Sequence, residues 1–172
     1  MMRYFLGILV VFFALISCKS DDDSLQRIDQ IMNIYVKNSA GQDLLNAKKT
    51  GSFTGYSVND IFGNNDVSPV SLPLRMTSDS IFYMEYIGGA KRLRQDSISP
   101  DNPGTGTLYH SKMLITFTKS TNVSDNVTGI LEIQYRNTPT LFQVSKVLYD
   151  GNAVFSKDAD QPNSINNVTI TK

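Results

Sequence analysis

Alternation is the dominant signal along this chain. From Gln30 to Lys37, Met32, Ile34 and Val36 share one parity while Asn33, Tyr35 and Lys37 share the other, the period of two expected of a strand with one buried face. Ser80 to Ile87 repeats it, with Phe82, Met84 and Tyr86 against Tyr83 and Glu85. Thr107 to Lys119 is the longest such run and sets Met113, Ile115 and Phe117 on one face. Val127 to Arg136 sets Leu131, Ile133 and Tyr135 against Glu132, Gln134 and Arg136. Leu141 to Tyr149 predicts a further strand with two possible inward faces, Phe142/Val144/Leu148 or Leu141/Val147/Tyr149. Shorter strands are predicted at Ser52 to Val58, Asn152 to Phe155 and Asn167 to Thr171. Val67 to Leu74 contains Pro69 and Pro73, so it is predicted as an edge strand, where a missing N–H is tolerated.

Turn chemistry separates these runs. Asn38 to Gln42, Gly88-Gly89, Asp158 to Ser164 and the breaker-rich Ser97 to Gly106 each interrupt the pattern. Asp150-Gly151 stands between two strands and predicts a two-residue hairpin, whose central residues both take positive φ. After residue 30 no helical period exceeds one turn. Many short strands with turns between them predict one all-β domain: an antiparallel β-sandwich of immunoglobulin-like or transthyretin-like Greek-key type, with a small β-barrel as the alternative. Composition agrees, since Glu occurs only at Glu85 and Glu132 while β-branched and aromatic residues are plentiful.

The first residues follow a different pattern. Arg3 precedes an apolar run of 13 residues from Tyr4 to Ile16, too short to span a bilayer, which takes about 20. With small Ser17 ahead of Cys18, this has the three parts of an export signal. Leu15-Ile16-Ser17-Cys18 resembles the lipobox of bacterial lipoproteins. That resemblance implies cleavage before Cys18 and acylation of its sulfur and of the new amino group. Cys18-Lys19-Ser20-Asp21-Asp22-Asp23 looks like the acidic export signal of Bacteroidota surface lipoproteins, implying an outer-membrane, cell-surface location. The expected organisation is a signal peptide over 1–17, a lipidated tether over 18–28 and one domain over 29–172. Val36 to Asn46 also resembles uncharacterised Bacteroidota lipoproteins, through a Gly-x-Asp-Leu-Leu-Asn signature at Gly41 to Asn46; the match brings no activity with it.

Removal of residues 1–17 leaves 155 residues with 15 Lys/Arg against 16 Asp/Glu, so no basic surplus marks a nucleic-acid binder. Cys18 is the only cysteine, which excludes intrachain disulfides and cysteine zinc sites. His110, the only histidine, shares parity with Lys112 and Thr116 and is predicted to face solvent; as a catalytic base it would stand alone. Glu85 and Glu132, a conceivable glycosidase pair, lie on outward parities as surface carboxylates do. Lys91, Arg92 and Arg94 form an anion-contact candidate or, in the plainer reading, a charged edge that discourages aggregation. Asn64-Asn65-Asp66 and Asp158-Ala159-Asp160 are oxygen-rich enough for Ca²⁺ but lack EF-hand spacing. Tyr35 and Tyr83 are outward tyrosines able to contact a sugar. No catalytic motif is assembled in the sequence. The expectation is therefore a non-catalytic binding or structural module, held to the membrane by its lipid, with a protein or glycan partner and no cofactor. A small surface hydrolase acting on glycans or peptides is the rival.

Overall fold

Each alternating run buries its apolar parity against another, and two stacked sheets result. The structure is a computed structural model that describes residues 25–65, 67–95, 107–120, 122–158, 161 and 165–172. Its strands are β1 (Arg27–Asp29), β2 (Met32–Lys37), β3 (Gly55–Asp60), β4 (Leu74–Met76), β5 (Phe82–Tyr86) and β6 (Leu93–Gln95). They continue with β7 (Thr107–Thr118), β8 (Val127–Asn137), β9 (Leu141–Tyr149), β10 (Asn152–Ser156) and β11 (Asn166–Thr171). The all-β sandwich expected from the alternation is the architecture observed, with one sheet curled into a half-barrel.

The larger sheet is built on the meander β7-β8-β9. The outer edge of β7 pairs with β6 near its start and β3 near its end; that of β9 pairs with β1 near its start and β10 near its end. The smaller sheet runs β11-β2-β5-β4. Two pairings are parallel, β1 with β9 and β11 with β2, while all other strand pairs are antiparallel. They arise because the chain changes sheet at Gln30–Ile31, between β1 and β2, and again between β10 and β11. The predicted edge strand over Val67 to Leu74 is reduced to a single bridge, Pro69 to Asn59, with β4 starting only at Leu74. Arg27 and Ile28, expected in the tether, are the first two residues of β1.

The core lies between the sheets. Met32, Ile34, Val36, Met84, Tyr86, Val168 and Ile170 from the smaller sheet face Met113, Ile115, Phe117, Leu131, Ile133 and Tyr135 from the larger, all fully buried. Tyr86 and Tyr135 meet across the gap with their hydroxyls 3.3 Å apart, and burial together with Tyr135 pushes the Tyr86 phenol well above its ordinary pKa. The ambiguous face of β9 has a local cause. The register with β8 shifts after Gln134, leaving Ser145 as an extra residue, so the inward parity changes there. Phe142 and Val144 are buried before the bulge, and Val147 and Tyr149 after it. Each candidate face was half of the true one.

Where the chain changes sheets, polar side chains are buried together. Asp29 ends β1, Lys157 follows β10 and Asn166 opens β11; they are 5%, 6% and 2% exposed. The Lys157 ammonium donates to Asp29 Oδ2 and, at 3.2 Å, to Asn166 Oδ1. Asn166 Nδ2 donates to Asp29 Oδ1 and to the Ile31 carbonyl, each at 3.0 Å. Every member is hydrogen-bonded, the condition under which a buried ion pair is tolerable.

Removing one partner of that pair should be costly. Asp29→Ala leaves a buried ammonium without its carboxylate and should lower unfolding free energy by about 3–5 kcal/mol in chemical denaturation; a change under about 1 kcal/mol would mean that water reaches the pair.

The β9–β10 turn has the predicted form, with Asp150 at φ 49° and Gly151 at φ 80° joining Tyr149 to Asn152. Gly151→Val puts a β-branched residue in the left-handed region and should cost about 1–3 kcal/mol. An unchanged denaturation midpoint would contradict this.

Candidate functional site

Outward-facing residues of β7 and β8 gather the candidate catalytic groups. His110 and Lys112 stand opposite Gln134 and Glu132 in the antiparallel register. Lys112 Nζ lies 3.0 Å from Glu132 Oε2, Gln134 Nε2 donates to Glu132 Oε1 at 3.1 Å, and His110 Nδ1 lies 3.8 Å from the same oxygen. Phe62, from the turn after β3, packs on the imidazole with ring centroids 5.1 Å apart. Burial alone would raise the Glu132 pKa. Hydrogen bonds from Gln134 and Lys112, with the charges of Lys112 and His110, outweigh that and hold it below the ordinary carboxylate value. His110 is thus a half-buried member of a surface network, as its parity predicted. Ser111, next in sequence, points the other way and donates its hydroxyl to the Lys91 carbonyl at 2.9 Å.

Glu85 is far from this network. It lies on the outer face of the smaller sheet, 3.2 Å from Arg75, whereas Glu132 lies on the outer face of the larger. Two carboxylates on opposite outsides of a sandwich cannot flank one glycosidic bond.

Tyr35 and Tyr83 are brought together, as two outward tyrosines on adjacent strands should be. Their ring centroids are 5.6 Å apart with planes tilted by 43°, and the Lys37 ammonium lies 5.8 Å over Tyr35. Asn33 and Glu85 form the neighbouring outward row on the same strands. The outcome is a shallow aromatic and polar face able to stack on one side of a ring.

The basic trio divides by role. The Arg92 guanidinium stacks 4.7 Å from the Phe142 ring and 5.1 Å from Tyr135, and donates to Gln30 Oε1 at 2.5 Å. It closes the end of the aromatic core. The Lys91 backbone N–H donates to Asp60 Oδ2 at 2.6 Å, and its ammonium to Asn64 Oδ1 at 3.0 Å. Arg94 lies in β6, paired along the edge of β7, as the charged-edge reading expected.

In the first oxygen-rich loop, the Asn64 amide oxygen therefore already faces an ammonium; Asp66 lies outside the described residues. In the second, the Asp158 carbonyl accepts from Gln143 Nε2 at 2.9 Å, and Ala159 and Asp160 lie outside the described residues. Among the described residues, no three His, Cys, Asp or Glu side chains gather as a metal cage. The lipobox Leu15 to Cys18, the export residues Lys19, Ser20, Asp21, Asp22 and Asp23, and the whole Ser97 to Gly106 loop also lie outside them.

The Gly41 to Asn46 signature has a structural explanation. Asn38 Oδ1 accepts from the N–H groups of Ala40 and Gln42, and Gly41 sits at φ 78° within that turn. Asp43 accepts from Leu45 N through one carboxylate oxygen and from Phe82 N through the other, at 2.8 and 3.0 Å. Leu45 is buried, and the Asn46 side chain accepts from Lys48 N. An open cleft of about 500 Å³ lies beside this turn, lined in part by Lys37, Gln42, Lys49 and Ile81.

Sequence parity did not anticipate one surface. Ile31, Ile87 and Ile165 are 41%, 55% and 54% exposed. They lie one step beyond the paired registers of β2, β5 and β11, with Asn166 N donating to the Ile31 carbonyl and Gln30 Nε2 to the Ile87 carbonyl. Outward parity for Ile31 and Ile87 was readable in the sequence; their adjacency to Ile165 was not, because it depends on the parallel β11–β2 pairing.

No family model, curated protein or solved structure matches the chain.

Acid should probe the Glu132 network with a definite sign. A carboxyl with a depressed folded-state pKa stabilises the fold above its unfolded pKa, and that contribution disappears as pH falls through the folded value. Glu132→Gln should therefore flatten the dependence of melting temperature on pH below about 4.5, while costing under about 1 kcal/mol at pH 7, since the group is partly solvated. Parallel pH profiles for the two proteins would show that the network contributes nothing.

Proposed function

We propose that the protein is a lipid-anchored module of the outer-membrane surface, which binds a partner or plays a structural part in the envelope without catalysing a reaction. Two kinds of support meet here. The anchor rests on Arg3, the apolar run and the Leu15-Ile16-Ser17-Cys18 sequence. The single structural observation that favours binding over catalysis is the placement of the candidate catalytic groups. His110 and Glu132 stand on an open sheet face within an ion-paired network, and Glu85 stands on the opposite outside of the sandwich. Strongly perturbed groups converging in a cleft are the usual mark of an active site.

Within this reading, Tyr35 and Tyr83 are the place for a glycan to stack, with Asn33 and Glu85 as neighbouring polar groups. A protein partner could use the same face. The rival hydrolase reading keeps one foothold, the approach of His110 to Glu132 at 3.8 Å.

The anchor and its export signal have separable jobs. Two acyl chains or more attach stably, whereas one gives only marginal binding. Three consecutive aspartates bury nothing and are repelled by anionic headgroups, so they add no attachment. Cys18→Ser should release the protein from the membrane fraction or leave its signal uncleaved. Replacing Asp21, Asp22 and Asp23 with Ala should keep it membrane-bound yet hide it from protease added to intact cells. Equal accessibility of the triple variant would reduce the aspartates to a spacer.

A further inference from the structure

Ile31, Ile87 and Ile165 form one exposed apolar row across three adjacent strands, β5, β2 and β11, at one end of the smaller sheet. The next outward row on the same strands is Asn167, Asn33 and Glu85, so the apolar character stops after one step. Single exposed isoleucines need no explanation, but a contiguous row of them on a sheet face usually marks a contact. Two more exposed aliphatics precede the row in sequence, Ile28 at 66% and Leu25 at 89%.

Position selects the occupant. β1 runs directly into β2 through Gln30 and Ile31, so this is the end at which the N-terminal segment reaches the domain. Leu25 is seven residues after Cys18, and an extended chain of that length spans about 25 Å at most. A lipid on Cys18 therefore keeps this end nearer the bilayer than the far end, where Val123 lies in the β7–β8 connection.

Side-chain chemistry agrees with position. Arg27 is exposed in β1. The Arg92 guanidinium at the same end is committed to Gln30 and to aromatic faces, so the contact rests on the aliphatic row. A row of exposed aliphatic side chains suits the boundary between acyl chains and headgroups.

We propose that Ile31, Ile87 and Ile165 rest on the lipid surface to which Cys18 is anchored, fixing the orientation of the sandwich on the membrane. The row then adds a second, non-covalent contact to the covalent one. Tyr35 and Tyr83, further from that end on the same face, remain in water and available to a partner. This rests on the lipid-anchor reading.

The test uses the full, lipidated chain in vesicles of phosphatidylethanolamine and phosphatidylglycerol. Cys18 is the only cysteine and carries the lipid, so Ile87→Cys, Ile165→Cys or Val123→Cys adds a unique thiol for a nitroxide. All three positions are exposed, so labelling should leave the fold intact, and the melting temperature checks that. Collisions are then measured with oxygen, which concentrates in lipid, and with a water-soluble nickel chelate. The expected result is an oxygen-to-nickel ratio several-fold higher at 87 and 165 than at 123. Equal, water-like ratios at all three positions would overturn the docking while leaving the anchor standing. Shielding of 87 and 165 from both reagents would overturn it in favour of a protein contact, and spin–spin broadening would identify that contact as a second copy. Absence of acyl chains in the protein's mass would overturn the anchor reading, and the docking with it.

Discussion

The fold depends on burying an ammonium and a carboxylate where the chain twice changes sheets. Asp29 sits at the first change, and Lys157 and Asn166 flank the second. One ion pair with its amide companion therefore holds together the end of β1, the end of β10 and the start of β11. Both parallel pairings follow from this junction, because it sets where β1 lies on β9 and β11 on β2. A buried charge must find its partner or stay in water. The pair thus ties the two crossings to each other at one place between the sheets.

Aromatic residues continue this logic inside the sandwich. Tyr86 and Tyr135 share their hydroxyl contact across the sheets, and Phe142 stacks on Tyr135 at 5.2 Å between centroids. Arg92 then covers the outer side of that stack. A basic side chain that looked available for an anion is occupied with aromatic faces, its stem and guanidinium serving as a lid. At the opposite surface, Lys112 is similarly committed to Glu132.

How much of this could be read from the sequence depended on whether a feature was local. Alternation in β2, β5, β7 and β8 identified every fully buried apolar side chain of those strands, because parity alone decides which face is apolar. The outward parity of Tyr35 and Tyr83 was legible for the same reason, whereas their contact was not, because it depends on the β2–β5 pairing. β9 was not, since the residue that inverts its parity, Ser145, carries no side-chain signature of a bulge. β1 and β6 were missed because three residues are too few to show a period, and both exist only through pairing with distant strands. Lys157 stood in a polar stretch and resembled any surface lysine; its burial depends on Asp29, 128 positions away. The Gly-x-Asp-Leu-Leu-Asn turn was recognised as a pattern without a reason. The reason is that one carboxylate, Asp43, ties the β2–β3 loop to the start of β5.

That turn also bears on where a partner can bind. Gly41, Asp43 and Leu45 are consumed by backbone conformation, loop closure and packing, so the signature does not by itself define a ligand site. In this chain the signature is explained by the folding of the β2–β3 connection. Specificity would then be carried by what surrounds the turn: the cleft beside it and the outer face holding Tyr35 and Tyr83. Both lie toward the end of β2 away from Ile31, where the chain arrives. The proposed anchor at one end of the sandwich and the proposed recognition toward the other would need no moving part, because the strands of the β-domain carry the separation.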